Sequence, residues 1–135
     1  LLSHNRNIKY LYKSHHYHHT VQFPPHNLVN NDIRYNSIIY NEYLHISCII
    51  WIISYIILPL YIYSIFFIES CVYLYFANLL HECYHMSNSY FEKYKWFQRK
   101  KQLHLQHHIK TVHNFNLFDN SSDKVFKTFH TKLQR

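Results

Sequence analysis

A long apolar stretch dominates the hydrophobic pattern of the chain, from residue 44 to about residue 80. Residues 44–68 contain no Asp, Glu, Lys or Arg, and Glu69 is the only such residue between Tyr43 and His81. The stretch exceeds the roughly 20 apolar residues that a helix needs to cross a bilayer. Pro59 interrupts it, and a proline removes a helical hydrogen bond. The pattern therefore predicts either one membrane helix kinked at Pro59 or a hairpin of two short helices joined near it.

More polar segments lie on both sides of this stretch, and their patterns predict further helices. We expect a helix over residues 5–20 and an Asn-rich surface loop over residues 26–42. A helix over residues 70–87 would leave the apolar stretch, and another would cover residues 102–113. Residues 88–101 have the Tyr, Trp and Lys content of a membrane-interface segment. The polar tail would be anchored by four aromatic side chains: Phe115, Phe118, Phe126 and Phe129.

The charge distribution supports a hairpin that enters and leaves on one side of a membrane. The chain carries 14 Lys and Arg against 7 Asp and Glu, and basic residues lie on both sides of the apolar stretch. The positive-inside tendency then places both flanks in the cytosol. One kinked span, with its flanks on opposite sides, is the alternative, and a shallow or tilted hairpin would also fit the length. No Lys and Arg stripe interleaves with aromatics, so anionic lipid is a better partner than nucleic acid.

Three histidine clusters are the chemical feature of the chain. Two of them, at residues 15–19 and 104–108, share the spacing H-x-x-H-H, and residues 81–85 have H-x-x-x-H. These spacings place imidazoles about one helical turn apart on one face. With His4, the candidate metal ligands are His4, His15, His18, His19, His81, His85, His104, His107 and His108.

Nine imidazoles are too many for one metal ion. Structural zinc uses four ligands and catalytic zinc three, so nine suit two metals with open positions. Imidazole binds iron, copper, zinc and nickel alike. The chain has few carboxylates near the clusters, unlike bundle-type di-iron sites. It also has no glycine, which excludes Gly-rich phosphate loops, and its three cysteines form no C-x-x-C pair. An all-histidine site beside a membrane favours oxygen activation on an apolar substrate.

These three histidine motifs, here called boxes, resemble the histidine boxes of the fatty acid hydroxylase and sterol desaturase superfamily of membrane di-iron enzymes. The family pattern ends in H-x-x-H-H, a membrane hairpin, H-x-x-x-H and a last H-x-x-H-H. Residues 10–19 resemble its second box with a Leu-Tyr-Lys lead-in, and residues 114–116 resemble the Asn-Phe-Gly that follows the last box. Residues 123–128 resemble a closing Asp-x-x-Phe-Gly-Thr.

The resemblance implies a single all-α domain over residues 1–135, an integral membrane protein with a cytosolic, histidine-rich helical cap. It implies two iron ions held by the nine histidines, which would do no acid–base work. It also implies O₂ as co-substrate and electrons from NAD(P)H through a reductase and a b-type cytochrome. The substrate would be a fatty acyl chain, a ceramide or a sterol at the endoplasmic reticulum, hydroxylated or desaturated. The hairpin spacing favours fatty acyl or ceramide substrates, and the Leu-Tyr-Lys lead-in favours sterols.

Two departures from the family pattern stand out. Both family glycines are replaced, by Asn116 and Lys127, and lysine adopts a left-handed backbone less easily than asparagine. His4 fits the second histidine of the first box, and its first histidine would fall before Leu1. We therefore expect the chain to be truncated at its N-terminus, with weak or no activity when isolated.

Two other functions fit parts of the pattern. The sequence from His81 through Glu82 to His85 also matches H-E-x-x-H, the zinc metalloprotease signature in which Glu acts as general base. A protease gives no reason for the two H-x-x-H-H boxes. A non-catalytic or decayed metal-binding membrane protein is the third reading. Among the remaining histidines, we expect His16 to face outward and His113 to be a candidate support for a ligand.

Overall fold

The computed structural model describes residues 4, 6–31 and 38–131, and every regular element among them is helical. In chain order these are α1 (Lys9–Tyr17), continued by a π-helical turn (His18–Gln22), α2 (Ile38–Ile57), α3 (Leu60–Tyr84), a 3-10 turn (Tyr90–Lys93), α4 (Lys95–Ile109) and α5 (Ser121–Val125). The predicted all-α class is therefore confirmed for the described part of the chain.

Helices α2 and α3 pack side by side in opposite directions, with the chain reversal at Pro59. The Trp51 indole donates a hydrogen bond to the Ser70 hydroxyl over 2.7 Å. Nearer the turn, the rings of Tyr55 and Tyr63 meet edge-on with centroids 5.2 Å apart. Pro59 has an extended ψ of 142°, because the ring and the missing N–H do not suit a helix interior. The apolar stretch is thus a hairpin and not one kinked helix.

Most large side chains of this hairpin are apolar and exposed. Ile49 at 60% and Ile65 at 58% exposed are typical, and an exposed apolar surface of this extent is unusual for a soluble monomer. Helix α3 has 25 residues, about 37 Å at 1.5 Å per residue. It is the one described helix that is long and apolar enough to cross a membrane, judged by length and composition. The apolar part of α2, Leu44–Ile57, is shorter.

A small core closes the base of the hairpin, at the end remote from Pro59. Leu80, Cys83 and Tyr84 of α3 are buried against Phe97 of α4. The Tyr84 hydroxyl donates a hydrogen bond to the Leu117 carbonyl over 2.9 Å, so the segment after α4 also packs here. This core fixes the C-terminal end of α3 against α4, and both helices carry histidine boxes at that point.

Several predicted boundaries were wrong. Helix α1 begins at Lys9 instead of residue 5, and its helical path continues to Gln22. Residues 38–42, expected in a loop, form the start of α2, while residues 32–37 of that loop lie outside the described residues. Helix α4 begins within the expected interface segment and ends at Ile109. Composition misplaced these ends because polar residues such as Glu and Lys are also good helix formers.

The two replaced glycines behave differently from each other. Lys127 has φ of 57°, in the left-handed region, whereas Asn116 does not have a positive φ. The left-handed residue in that segment is Asn114, with φ of 54°. Of the four expected aromatic anchors, Phe126 is 60% exposed and does not act as one. The family-like closing motif therefore retains one left-handed position that glycine would favour, at Lys127.

Candidate metal centre

All nine candidate histidines lie at the base of the hairpin, and they form two adjacent clusters. We call them the five-histidine cluster and the four-histidine cluster. Within each cluster, the ligand nitrogens lie within 4.8 Å of one another, and such groups could hold metal ions. The five-histidine cluster contains His18, His81, His85, His104 and His108, and the four-histidine cluster contains His4, His15, His19 and His107.

Each H-x-x-H-H box contributes to both clusters. In the first box, His15 and His19 belong to the four-histidine cluster and His18 to the other. In the last box the pattern is reversed, because His104 and His108 belong to the five-histidine cluster and His107 to the four-histidine cluster. The i,i+4 pair of each box shares a face, whereas the residue at i+3 is rotated away from its neighbour at i+4 by about 100°. Each box therefore lies along the boundary between the clusters.

The two clusters touch at this boundary. The rings of His19 and His108, one from each cluster, have centroids 4.0 Å apart. A wider turn of the π-helical type follows α1 where His18 and His19 diverge, and such turns are frequent at functional sites. Two metals bound in these clusters would be close neighbours.

Contacts within the four-histidine cluster join the Nε2 atoms of its rings. His15 Nε2 lies 2.8 Å from His4 Nε2 and 2.9 Å from His19 Nε2. His4 Nε2 also lies 3.1 Å from His107 Nε2. Each such nitrogen carries either one proton or one lone pair, so hydrogen bonding alone satisfies these multiple contacts poorly. Ligand nitrogens about 2.1 Å from one metal and at right angles to each other would be about 3 Å apart.

The five-histidine cluster is buried more completely. His104 Nε2 lies 2.9 Å from His85 Nε2, and His108 Nε2 is buried with no hydrogen-bond partner. Phe23 is fully buried, and its ring stacks on His85 with centroids 3.9 Å apart. A buried nitrogen that accepts no hydrogen bond destabilises the fold, and coordination of a metal ion by its lone pair would remove that penalty. Both clusters therefore fit metal binding by imidazole.

Oxygen atoms outside the clusters orient several of these rings. The Nδ1 of His85 donates to the Leu28 carbonyl at 2.8 Å, and the Nδ1 of His108 donates to the Phe23 carbonyl at 3.1 Å. In the other cluster, His107 Nδ1 donates to the His113 carbonyl at 2.6 Å. A proton on Nδ1 leaves the lone pair on Nε2, which faces the cluster. Such outer hydrogen bonds fix the tautomer of metal-binding histidines.

Burial keeps these rings neutral. It lowers the pKa of His4 to about 3, with a further contribution from the nearby His107. Burial also lowers the pKa of His85 and His107 to about 4, although the carbonyl that each Nδ1 meets acts in the opposite direction. The pKa values of His15, His18, His19, His104 and His108 are likewise lowered by burial first, and by neighbouring imidazoles. The neutral form is the one that binds metal.

The other chemically notable residues lie outside the two clusters. His16 is exposed, as expected, and stacks on Tyr12. His113 supports His107, but through its backbone carbonyl and not its ring. Glu82, the general base of the protease reading, is half-buried and is not among the described side chains whose ligand atoms converge.

A cleft of about 660 Å³ opens beside the four-histidine cluster. His4, His15 and His19 form part of its wall, and Ile109, Val112 and Phe115 supply apolar surface. The cleft gives one side of this cluster access to a second molecule. The five-histidine cluster contributes His108 to the wall of the cleft.

Sequence reasoning missed the groups that orient the ligands. The carbonyl groups of Phe23 and Leu28 could not be identified from the sequence, because every residue has a carbonyl group and the side chains of these two residues do not mark it. Asp123 was noted only as part of a motif, yet it is almost fully buried.

No protein-family model, curated protein or solved structure matches this chain.

Proposed function

We propose that the chain is an O₂-dependent membrane di-iron enzyme that hydroxylates or desaturates a lipid, in the manner of the fatty acid hydroxylase and sterol desaturase superfamily that it resembles. One observation carries the proposal. Two adjacent clusters, made only of histidines, lie at the base of a hairpin whose surface is apolar and exposed. A soluble metal-storage protein would not need that hairpin, and a simple membrane anchor would not need the clusters.

In this proposal the histidines hold two iron ions through Nε2, and their protein partners hold the rings. Bound iron would supply the redox chemistry needed to activate O₂ with two external electrons. The carbonyls of Phe23, Leu28 and His113 would keep three ligands in the Nδ1–H tautomer. Buried apolar groups such as Phe23 would exclude water from the site.

The hairpin would place the clusters at the membrane surface, where a lipid can reach them. His81 lies 21 residues after Leu60 in α3, or about 32 Å along the helix, close to the thickness of the hydrocarbon core. The basic segments on both sides of the hairpin favour a cytosolic position for the clusters. The substrate would be a fatty acyl chain, a ceramide or a sterol at the endoplasmic reticulum. Electrons would come from NAD(P)H through a reductase and a b-type cytochrome.

Metal content tests the proposal directly. Protein purified in detergent should contain close to two irons per chain, and His18→Gln should reduce that content. His16→Gln is the matched control, because His16 belongs to the same box but is exposed and lies in neither cluster. Purified two-iron protein with NAD(P)H, reductase, cytochrome and O₂ should then convert a lipid. Equal iron loss in both variants would contradict the assignment of the ligands.

Two other readings make different predictions. A zinc protease should contain one zinc without iron and lose all activity on Glu82→Gln, whereas the hydroxylase should lose little. The protease reading gives no reason for the second cluster, of four histidines, beside the one that contains His81 and His85. A non-catalytic metal-binding protein would retain its metal and convert no lipid in any assay.

A further inference from the structure

The hydrogen-bond partner of His107 belongs to a turn with an unusual backbone. His107 Nδ1 donates to the His113 carbonyl at 2.6 Å, and the His113 N–H donates to the Lys110 carbonyl at 3.2 Å. The next residue, Asn114, has φ of 54°. A left-handed residue is uncommon outside glycine, although asparagine adopts it more readily than most residues. The hydrogen bonds of the neighbouring residues show what holds this turn in place.

Asp123 holds the segment that leaves the turn. Its side chain is 2% exposed, and its two oxygens accept hydrogen bonds from the Phe115 N–H at 2.8 Å and the Asn116 N–H at 3.0 Å. The Thr128 hydroxyl donates to the same carboxylate at 2.8 Å. Three donors to one buried carboxylate satisfy its charge, and charge-assisted hydrogen bonds are stronger than neutral ones.

A second set of bonds holds the turn from its other side. The Asn114 amide donates to the His130 carbonyl at 2.9 Å, and its side-chain oxygen accepts from the His130 N–H at 2.9 Å. The Asn114 N–H donates to the Thr128 carbonyl at 3.1 Å. Thr128 therefore links Asp123 to the N–H of the left-handed residue, and Asp123 itself holds the N–H of the residue that follows.

Phe115 provides a second route from Asp123 to the same cluster. Its N–H is one of the groups bound by Asp123. Its ring packs edge-on against His4 and His107, with centroids 5.1 and 5.2 Å away. Both routes therefore lead from Asp123 to the four-histidine cluster.

We propose that Asp123 is a positioning residue for the four-histidine metal centre. By holding residues 114–116 it sets the His113 carbonyl against His107 Nδ1 and the Phe115 ring against His4 and His107. This inference rests on the two-metal part of the proposed function. It also predicts selectivity, because the five-histidine cluster takes its carbonyl partners from Phe23 and Leu28, in a different segment.

Cobalt binding distinguishes a positioning role from a general structural role, because a general loss of structure would weaken Co²⁺ binding at both centres. The full chain, stripped of metal in detergent, is titrated with Co²⁺, and the visible absorption separates four-coordinate from five-coordinate centres. Reference proteins His15→Gln and His104→Gln assign the two bands, since each removes a ligand from one cluster. The unsubstituted chain should bind two Co²⁺ ions.

The test variant is Asp123→Asn, in which the new NH₂ group would face at least one N–H donor. Its four-histidine centre should bind Co²⁺ at least about 10-fold more weakly, and its five-histidine centre should be unchanged. Glu69→Gln is the control, because it removes one carboxylate charge from an exposed side chain in the hairpin, outside the segment that Asp123 holds. If Asp123→Asn does not fold, Thr128→Val removes a single bond to the carboxylate and should show the same selective loss, but smaller.

The outcomes separate this inference from the proposed function. Selective weakening of the four-histidine centre supports the inference. Equal weakening of both centres, or no weakening in a folded variant, overturns it and leaves the proposed function intact. An unsubstituted chain that binds no Co²⁺ overturns the two-metal proposal, and this inference with it.

Discussion

Replacement of Ile68 by lysine distinguishes a hairpin in lipid from a hairpin in water. Ile68 belongs to α3 and is 62% exposed, and it lies about 12 Å along the helix from Leu60. It is next to Glu69, but adjacent residues on a helix do not face each other, so the new charge would not be neutralised there. The lysine would face whatever solvent surrounds the hairpin.

The two environments give very different energies. In the centre of a membrane helix, lysine costs about 2.5–3.5 kcal/mol and isoleucine contributes about 0.3–0.6 kcal/mol favourably. The substitution would therefore disfavour insertion by about 3–4 kcal/mol, which is on the order of 100- to 1,000-fold in the equilibrium. On a surface exposed to water, the same change would alter stability by less than about 0.5 kcal/mol.

The assay is resistance to alkaline carbonate extraction after synthesis of the full chain with microsomes. Ile68→Lys should move most of the protein from the pellet to the supernatant. Val125→Lys is the control, because Val125 is 75% exposed but lies in α5, outside the hairpin. Glu69→Leu should have the opposite effect and increase the pellet fraction. Equal extraction of Ile68→Lys and Val125→Lys would refute the reasoning that the hairpin is buried in lipid.

Three further predictions concern stability in detergent. Lys127→Gly should stabilise the fold by about 0.5–1 kcal/mol, since it relieves a left-handed lysine at φ of 57°; a lower urea midpoint would contradict this. A double-mutant cycle of Trp51→Phe and Ser70→Ala should give a coupling of about 0.5–1.5 kcal/mol for their hydrogen bond, and zero coupling would show that the bond does not stabilise the hairpin. The pKa of His85 and His107 falls from 6.5 to about 4 on folding, so the unfolded state binds more protons between these values. The metal-stripped protein should therefore lose stability as the pH falls below 6.5, and the loss should continue below pH 4, because the pKa of His4 is lowered to about 3 and those of the other cluster histidines are lowered as well; a urea midpoint independent of pH would be the contrary result.

The pattern of the chain was enough to predict the hairpin and to select the histidines. A stretch with one charged residue between Tyr43 and His81 has few options besides helices in an apolar environment, and Pro59 marks the turn. The H-x-x-H-H spacing follows from the helical repeat. Helix ends were predicted less well, as at Ile38 and Ile109, because they depend on packing that local composition does not report.

The sequence by itself determined which side chains could bind metal, because their number, type and spacing are local properties of the chain. Only the tertiary structure decided how they divide. His18 and His19 are neighbours in sequence but belong to different clusters, and so are His107 and His108. That division depends on how α1, α3 and α4 meet, as do the carbonyls of Leu28 and His113 that orient the rings. Such contacts join residues that are distant in the chain or lie across turns, so no spacing rule contains them.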